Sequence, residues 1–313
     1  MSVSTDIKAA NKRGSISKRF KKELPFHMMI WVAVAFAIVF SYIPMCGLVI
    51  AFKDYKFRSG IFGSAWVGLK HFKNIFSDFY MGNAVINTIG LSLISLLISL
   101  PITLAFAIMI NELRSGALKR VAQTISYLPH FVSWAIMAVI MTSFLDYNTG
   151  ILNQLIVMLG GEPKLFLGAP ELYWPTVIVA SIWKETGWSA IVYLAVMTGI
   201  DESLYEAAKI DGAGRFQRIW YITLPSLSGI ISIMLILSMG SITGCGFEQA
   251  YFLSNSLNFK RSNVLSYYVY QIGINKGNFS YSAAIGLITS SVSAGLTLFA
   301  NALAKKINGK GLF

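Results

Sequence analysis

The chain has 313 residues, 55% of them hydrophobic and only 13% charged, with a mean hydropathy of +0.61, which excludes a soluble globular domain of this size. Its net charge of +12 would suit a nucleic-acid binder, but the basic residues gather beside long apolar runs, where membrane topology and anionic headgroups account for them, so nucleic acid is excluded as a partner. The two cysteines, Cys46 and Cys245, both sit in apolar stretches and give neither a disulfide framework nor a metal site.

The composition predicts an all-α polytopic membrane protein, and the apolar runs can be taken in order. Residues 1–25 form a basic N-terminal tail, read as cytoplasmic. Residues 26–52 are long enough to cross a hydrocarbon core of about 30 Å, and too long for a signal-peptide core. Further crossings are predicted at 83–110, interrupted by Pro101, at 121–145, with Pro129 and His130 in its first third, and at 173–200, 226–247 and 281–304. The six together make a permease domain over 26–304, followed by a tail at 305–313. The outer loop at 146–172 holds an apolar patch, 151–159, suited to a helix on the membrane surface. Sixteen of the 26 Lys and Arg residues fall in segments that this topology places inside, so both termini are expected in the cytoplasm.

The polar stretch between the fourth and fifth crossings, 201–225, carries its own folding signals. Ser203 and Glu206 read as a capping box that starts a short helix, Gly212 ends it, and a second helix follows with Phe216, Ile219 and Trp220 on one face. Pro225 opens the fifth crossing where its missing N–H costs little. Glu206, Ala207 and Ala208, then Asp211-Gly212, Ile222 and Leu224-Pro225 resemble the EAA loop of binding-protein-dependent ABC importer permeases. The resemblance implies a type I importer permease fold of six transmembrane helices in which this loop is a coupling helix, docked on a separate ATPase. It also implies a second homologous permease subunit, two ATPase subunits that bind ATP and Mg, and an extracytoplasmic solute-binding protein in a bacterial cytoplasmic membrane. Leu128 to Trp134, Trp183 to Trp188, Leu204 to Ala213 and the ending Gly309 to Phe313 are similar to the carbohydrate branch of the family, in the group serving oligosaccharides or polysaccharides. The chain departs from that group near residues 241–246.

No G-x-x-x-x-G-K-[ST] loop, H-E-x-x-H or G-x-S-x-G is present, so the chain is expected to be a pore-forming subunit rather than an enzyme, with no cofactor or metal of its own. Lys184 and Glu185 inside the fourth crossing are costly in lipid and call for a protein partner or a wet path. Being neighbours, they project about 100° apart, so they are not expected to neutralise each other on one helix face. Trp183 and Trp188 offer aromatic faces for sugar rings or for packing. Gly240, Gly244 and Gly246 loosen the end of the fifth crossing beside Glu248 and Gln249, and His130 supplies a polar group at a Pro129 kink. The substrate-path candidates are therefore His130, Trp183, Lys184, Glu185, Trp188, Glu248 and Gln249. The rival reading is an ion-coupled secondary transporter with Lys184 and Glu185 as its relay.

Overall fold

The structure, a computed structural model, describes residues 23–113, 116–308 and 311. Residues 1–22 of the basic tail, Arg114, and Gly309, Lys310, Leu312 and Phe313 of the C-terminal tail lie outside the described residues. The chain divides into two units, 1–68 and 69–313.

In the first unit a helix, α1 (Glu23–Phe52), is long and apolar enough to cross a membrane. It leads into a two-residue hairpin pair, Lys53 opposite Trp66 and Asp54 opposite Ala65, and Phe52 stacks on Trp66 at 5.7 Å.

The described residues of the second unit form helices joined by loops. α2 (Lys70–Ser77) buries His71 and Ile75, and Asp78 then caps α3 (Phe79–Asn111) by accepting from the backbone N–H groups of Tyr80 and Met81. α3 passes through Pro101 as one helix rather than being interrupted there. The third crossing is not a single rod. α4 (Gly116–Tyr127), extended by a 3-10 turn at Leu128–Phe131, and α5 (Trp134–Phe144) are bent 96° to one another. Pro129 is the second residue of the turn, and the Ser133 hydroxyl caps the restart by accepting from Ile136 N–H. The surface patch forms α6 (Ile151–Met158), as expected.

α7 (Pro170–Met197) is the centre of this unit. Its residues enter three apolar clusters: Tyr173 and Val177 against Trp134, Met137 and Met141 of α5; Ile178 against Leu91 of α3; and Ala190, Tyr193 and Met197 against Ala107 and Ile110 of α3. Close approach is built in by Gly187, where a β-carbon would collide with the Ser126 carbonyl, and by Gly90, where it would meet the Trp174 indole. Among the described residues four helices, Glu23–Phe52, Phe79–Asn111, Arg215–Leu253 and Phe279–Lys306, are each long and apolar enough to cross a membrane, and the bent pair counted as one span makes a fifth. α7 has the length, with 28 residues, but its Lys184 is buried against protein, so it need not be apolar all round.

α8 (Glu202–Ile210) follows. Its cap is Asp201, whose carboxylate accepts from Ser203 N–H at 2.9 Å, so Ser203 lies inside the helix and the expected Ser203–Glu206 capping box is replaced. Asp201 wins because its side chain sits one residue before the first helical turn, the position where an acceptor meets free N–H groups. The second short helix, α9 (Arg215–Arg218), does not stand apart either. A π-turn, Ile219–Thr223, carries it straight into α10 (Leu224–Ser241). The glycine-rich end of this crossing becomes a 3-10 turn, and Gly246 at φ 80° redirects the chain into α11 (Phe247–Leu253). After a segment that buries Asn258, Ser262, Asn263 and Val264, α12 (Leu265–Tyr270) and α13 (Phe279–Asn308) complete the unit, with α13 packed along α10.

Candidate translocation site and coupling surface

The broken third crossing and α7 meet at a polar cluster. Lys184 is 5% exposed, and its ammonium donates to the His130 carbonyl at 2.7 Å and to Glu185 Oε1 at 2.9 Å. Glu185 Oε2 lies 2.7 Å from His130 Nδ1, and the His130 ring stacks on Trp188 at 4.4 Å with the planes 1° apart. The expectation that Lys184 and Glu185 could not pair was wrong, because the long lysine stem folds back toward the 3-10 turn and Glu185 reaches to the same point. The turn also supplies what the lysine needs. A backbone bent at Leu128–Phe131 leaves the His130 carbonyl outside a regular helix ladder and free to accept.

The other candidates separate by helix geometry. Trp188 follows Glu185 by three residues and shares its face. Trp183 precedes Glu185 by two, which turns it to the far side of α7, where it lines an apolar groove with Met137 and Ile140. Glu248 is exposed on α11 and Gln249 half-buried there, and no hydrogen bond joins either to the His130–Lys184–Glu185 cluster.

Glu185 and Trp188 open onto a cavity of about 400 Å³ walled by α3, α7 and α10. Two stripes at four-residue spacing face each other across it: Ser95, Ser99 and Thr103 on α3, and Ser181, Glu185 and Ser189 on α7. Ser238 of α10 joins them. The sequence reading missed these hydroxyls. The available signal was the repeat of small polar residues every fourth position inside runs otherwise apolar.

A second, polar hollow of about 930 Å³ lies at the other end of α7, lined by Glu202, Tyr205, Glu206 and Lys209 of α8, Arg215 and Arg218 of α9, and Glu112 and Lys119. Glu206, Ala207, Asp211 and Gly212 are exposed and Ala208 half-buried. Gly212 has φ 80°, and the donations Ala213 N–H to Ala208 C=O at 2.8 Å and Gly212 N–H to Lys209 C=O at 3.1 Å close α8 as a Schellman motif. The Tyr205 hydroxyl is 2.8 Å from that of Thr223, which is buried in the π-turn between Ile222 and Leu224-Pro225. α8 is thus an exposed helix fastened at one point to the base of the fifth crossing. Beside it, Asp201 is exposed and its carboxyl is held below the usual range by the Ser203 backbone and side chain.

A helical membrane domain with a hydroxyl-lined internal cavity and a projecting helical elbow defines a polytopic permease. The chain belongs to the family described as binding-protein-dependent transport system inner membrane component, whose model matches residues 98–309. It is 41% identical over 307 residues to protein LplB of Bacillus subtilis (strain 168), covering 98% of this chain and 96% of that one. It is 40% identical over 302 residues to the polygalacturonan/rhamnogalacturonan transport system permease protein YteP of the same organism, covering 96% and 94%. A solved structure of a bacterial ABC transporter involved in the import of the acidic polysaccharide alginate matches with a TM-score of 0.87 at 34% identity, covering 94% of this chain and 99% of that chain.

Proposed function

We propose that this chain is one permease subunit of an ATP-driven importer that moves an oligosaccharide or polysaccharide fragment across a bacterial cytoplasmic membrane. A second homologous permease completes the path. Two ATPase subunits bind ATP and Mg, and an extracytoplasmic solute-binding protein delivers the cargo. Support for the last partner comes from a solved bacterial alginate transporter in complex with an alginate pentasaccharide-bound periplasmic protein, which matches this chain at a TM-score of 0.87 and 34% identity.

The observation that carries the reading is the attachment of α8. Exposed Glu206, Ala207, Asp211 and Gly212 offer a short, Schellman-closed helix to a groove on the ATPase, while the Tyr205–Thr223 bond ties that helix to the π-turn leading into α10. Closing of the ATPase pair drags α8, and α10 moves with it, so the cavity between α3, α7 and α10 alternates its opening. The loop then lies on the cytoplasmic side, with both termini. Hydroxyls and the Glu185 carboxylate on the cavity wall suit sugar hydroxyls, and Trp188 presents an aromatic edge to the same space.

The test is the complete importer in proteoliposomes. Glu206→Lys and Gly212→Pro are expected to insert normally yet lose ATP-dependent uptake of the loaded cargo, while retaining basal hydrolysis by the ATPase. Normal uptake in both variants, or uptake of wild type without ATP, would overturn the assignment.

A further inference from the structure

The cavity wall carries a charge asymmetry that importing a glycan does not by itself require. Lys184 and Glu185 form a pair, but only Glu185 reaches the wall, since the Lys184 ammonium is turned back onto the His130 carbonyl and Glu185 Oε1. The negative end of the pair therefore faces the cargo space. Glu185 is the one charged residue lining the cavity among the described residues, and the other polar side chains on the wall are hydroxyl-bearing, apart from the Trp188 indole.

A carboxylate only accepts hydrogen bonds, whereas serine and threonine hydroxyls donate and accept. Sugar hydroxyls satisfy both kinds of wall group, and donating to Glu185 makes the stronger, charge-assisted bond. A sugar carboxylate has no proton to give Glu185 at neutral pH. It also brings a like charge into a partly dehydrated space where repulsion is weakly screened, and the Lys184 ammonium that partly offsets Glu185 is turned away from the wall.

We infer that Glu185 sets the specificity of this path, favouring uncharged glycans and discriminating against glycans that bear carboxylates. The inference rests on the importer reading above and deepens it.

The experiment compares ATP-driven uptake by the complete importer of two cargoes of equal length, a neutral oligosaccharide and an oligouronide. Wild type is set against Glu185→Gln and against Ser99→Lys. The second variant places a cation on the opposite wall and leaves the Lys184–Glu185 pair intact, so it does not depend on the stability of the first. Loading of the binding protein is common to all three, and the ratio of the two uptake rates isolates the wall. Wild type is expected to favour the neutral cargo, and the uronide-to-neutral ratio should rise roughly tenfold in each variant. A ratio unchanged in Ser99→Lys, or wild-type uptake of the uronide as fast as of the neutral cargo, overturns the inference while ATP-dependent import stands. Loss of ATP dependence for both cargoes removes the importer reading instead, and the inference with it.

Discussion

His130 Nδ1 lies 2.7 Å from Glu185 Oε2, which joins the elbow of the third crossing to the middle of the fourth. The bond closes a ring of contacts, because Lys184 beside Glu185 donates to the carbonyl of the same His130. Neither crossing could hold this shape alone. The elbow leaves a carbonyl without a helical partner, and α7 carries a buried cation that needs one.

Removing one member of this ring should cost more than removing the charges together. Glu185→Leu leaves the Lys184 ammonium buried without its carboxylate, at a cost on the order of 2 kcal/mol. That is below the value for a fully buried pair because the Glu185 side chain is 40% exposed. Lys184→Met combined with Glu185→Gln is expected to be more stable than the sum of its parts by about 1 kcal/mol. Thermal unfolding of the detergent-solubilised protein in a double-mutant cycle measures the coupling, and strict additivity would contradict the ring.

Gly187 should tolerate no side chain. A β-carbon there meets the Ser126 carbonyl, which belongs to backbone and cannot swing aside. Gly187→Val is expected to destabilise the packing of α4 on α7 by about 1–3 kcal/mol. Gly286 has open space at the corresponding point, and Gly286→Ala should be close to neutral. Comparing the midpoints of unfolding for the two variants checks the contrast.

Tyr205→Phe should uncouple without unfolding. It removes one hydrogen bond, worth about 0.5–1.5 kcal/mol, between α8 and Thr223. Expression and thermal stability should change little, while uptake per ATP hydrolysed falls several-fold. Uptake and phosphate release measured in the same proteoliposomes give the ratio directly, and an unchanged ratio would show that α8 transmits its motion elsewhere.

Asp78 predicts a pH dependence. Partial burial acts to raise its carboxyl, but donation from the hydroxyls of Tyr268, at 2.5 Å, and Tyr281, at 2.8 Å, and from the Met81 and Tyr80 backbone outweighs it, so the group sits below its ordinary value of 3.8. A carboxyl lowered in the folded state contributes stability that is present in full above its unfolded value and is lost as pH falls through the folded one. Wild type should therefore exceed Tyr268→Phe in thermal stability by a constant margin from pH 7 to about 5. The margin should shrink below about pH 4. A margin that stays the same down to pH 3 would show that the tyrosine contributes by packing alone.

Much of this was legible before any coordinates. Long apolar runs fix where helices must lie, because lipid offers the backbone no partner and each crossing must satisfy its own N–H and C=O groups. Gly212 in the left-handed region and the helical patch at Ile151–Met158 follow from local chemistry of the same kind. The spacing from Glu206 to Pro225 was enough to identify the family. Local rules were less secure where two acceptors compete for one helix start, as with Asp201 and Ser203, or where a π-turn lets a short helix run on, as at Ile219–Thr223.

What tertiary structure alone decided is which polar groups meet. Sequence spacing placed Lys184 and Glu185 on diverging directions of one helix, and only the 3-10 turn that carries His130, just before the 96° break at Val132–Ser133, brought a third partner to their common point. Trp188, at the cavity, and Trp183, at an apolar groove, are parted by their angular positions on α7, and the neighbouring helices decide what each side meets. Periodicity along a helix determines which residues share a face, but the neighbour that a face meets depends on how far the next helix bends, and that is set by packing across the whole unit.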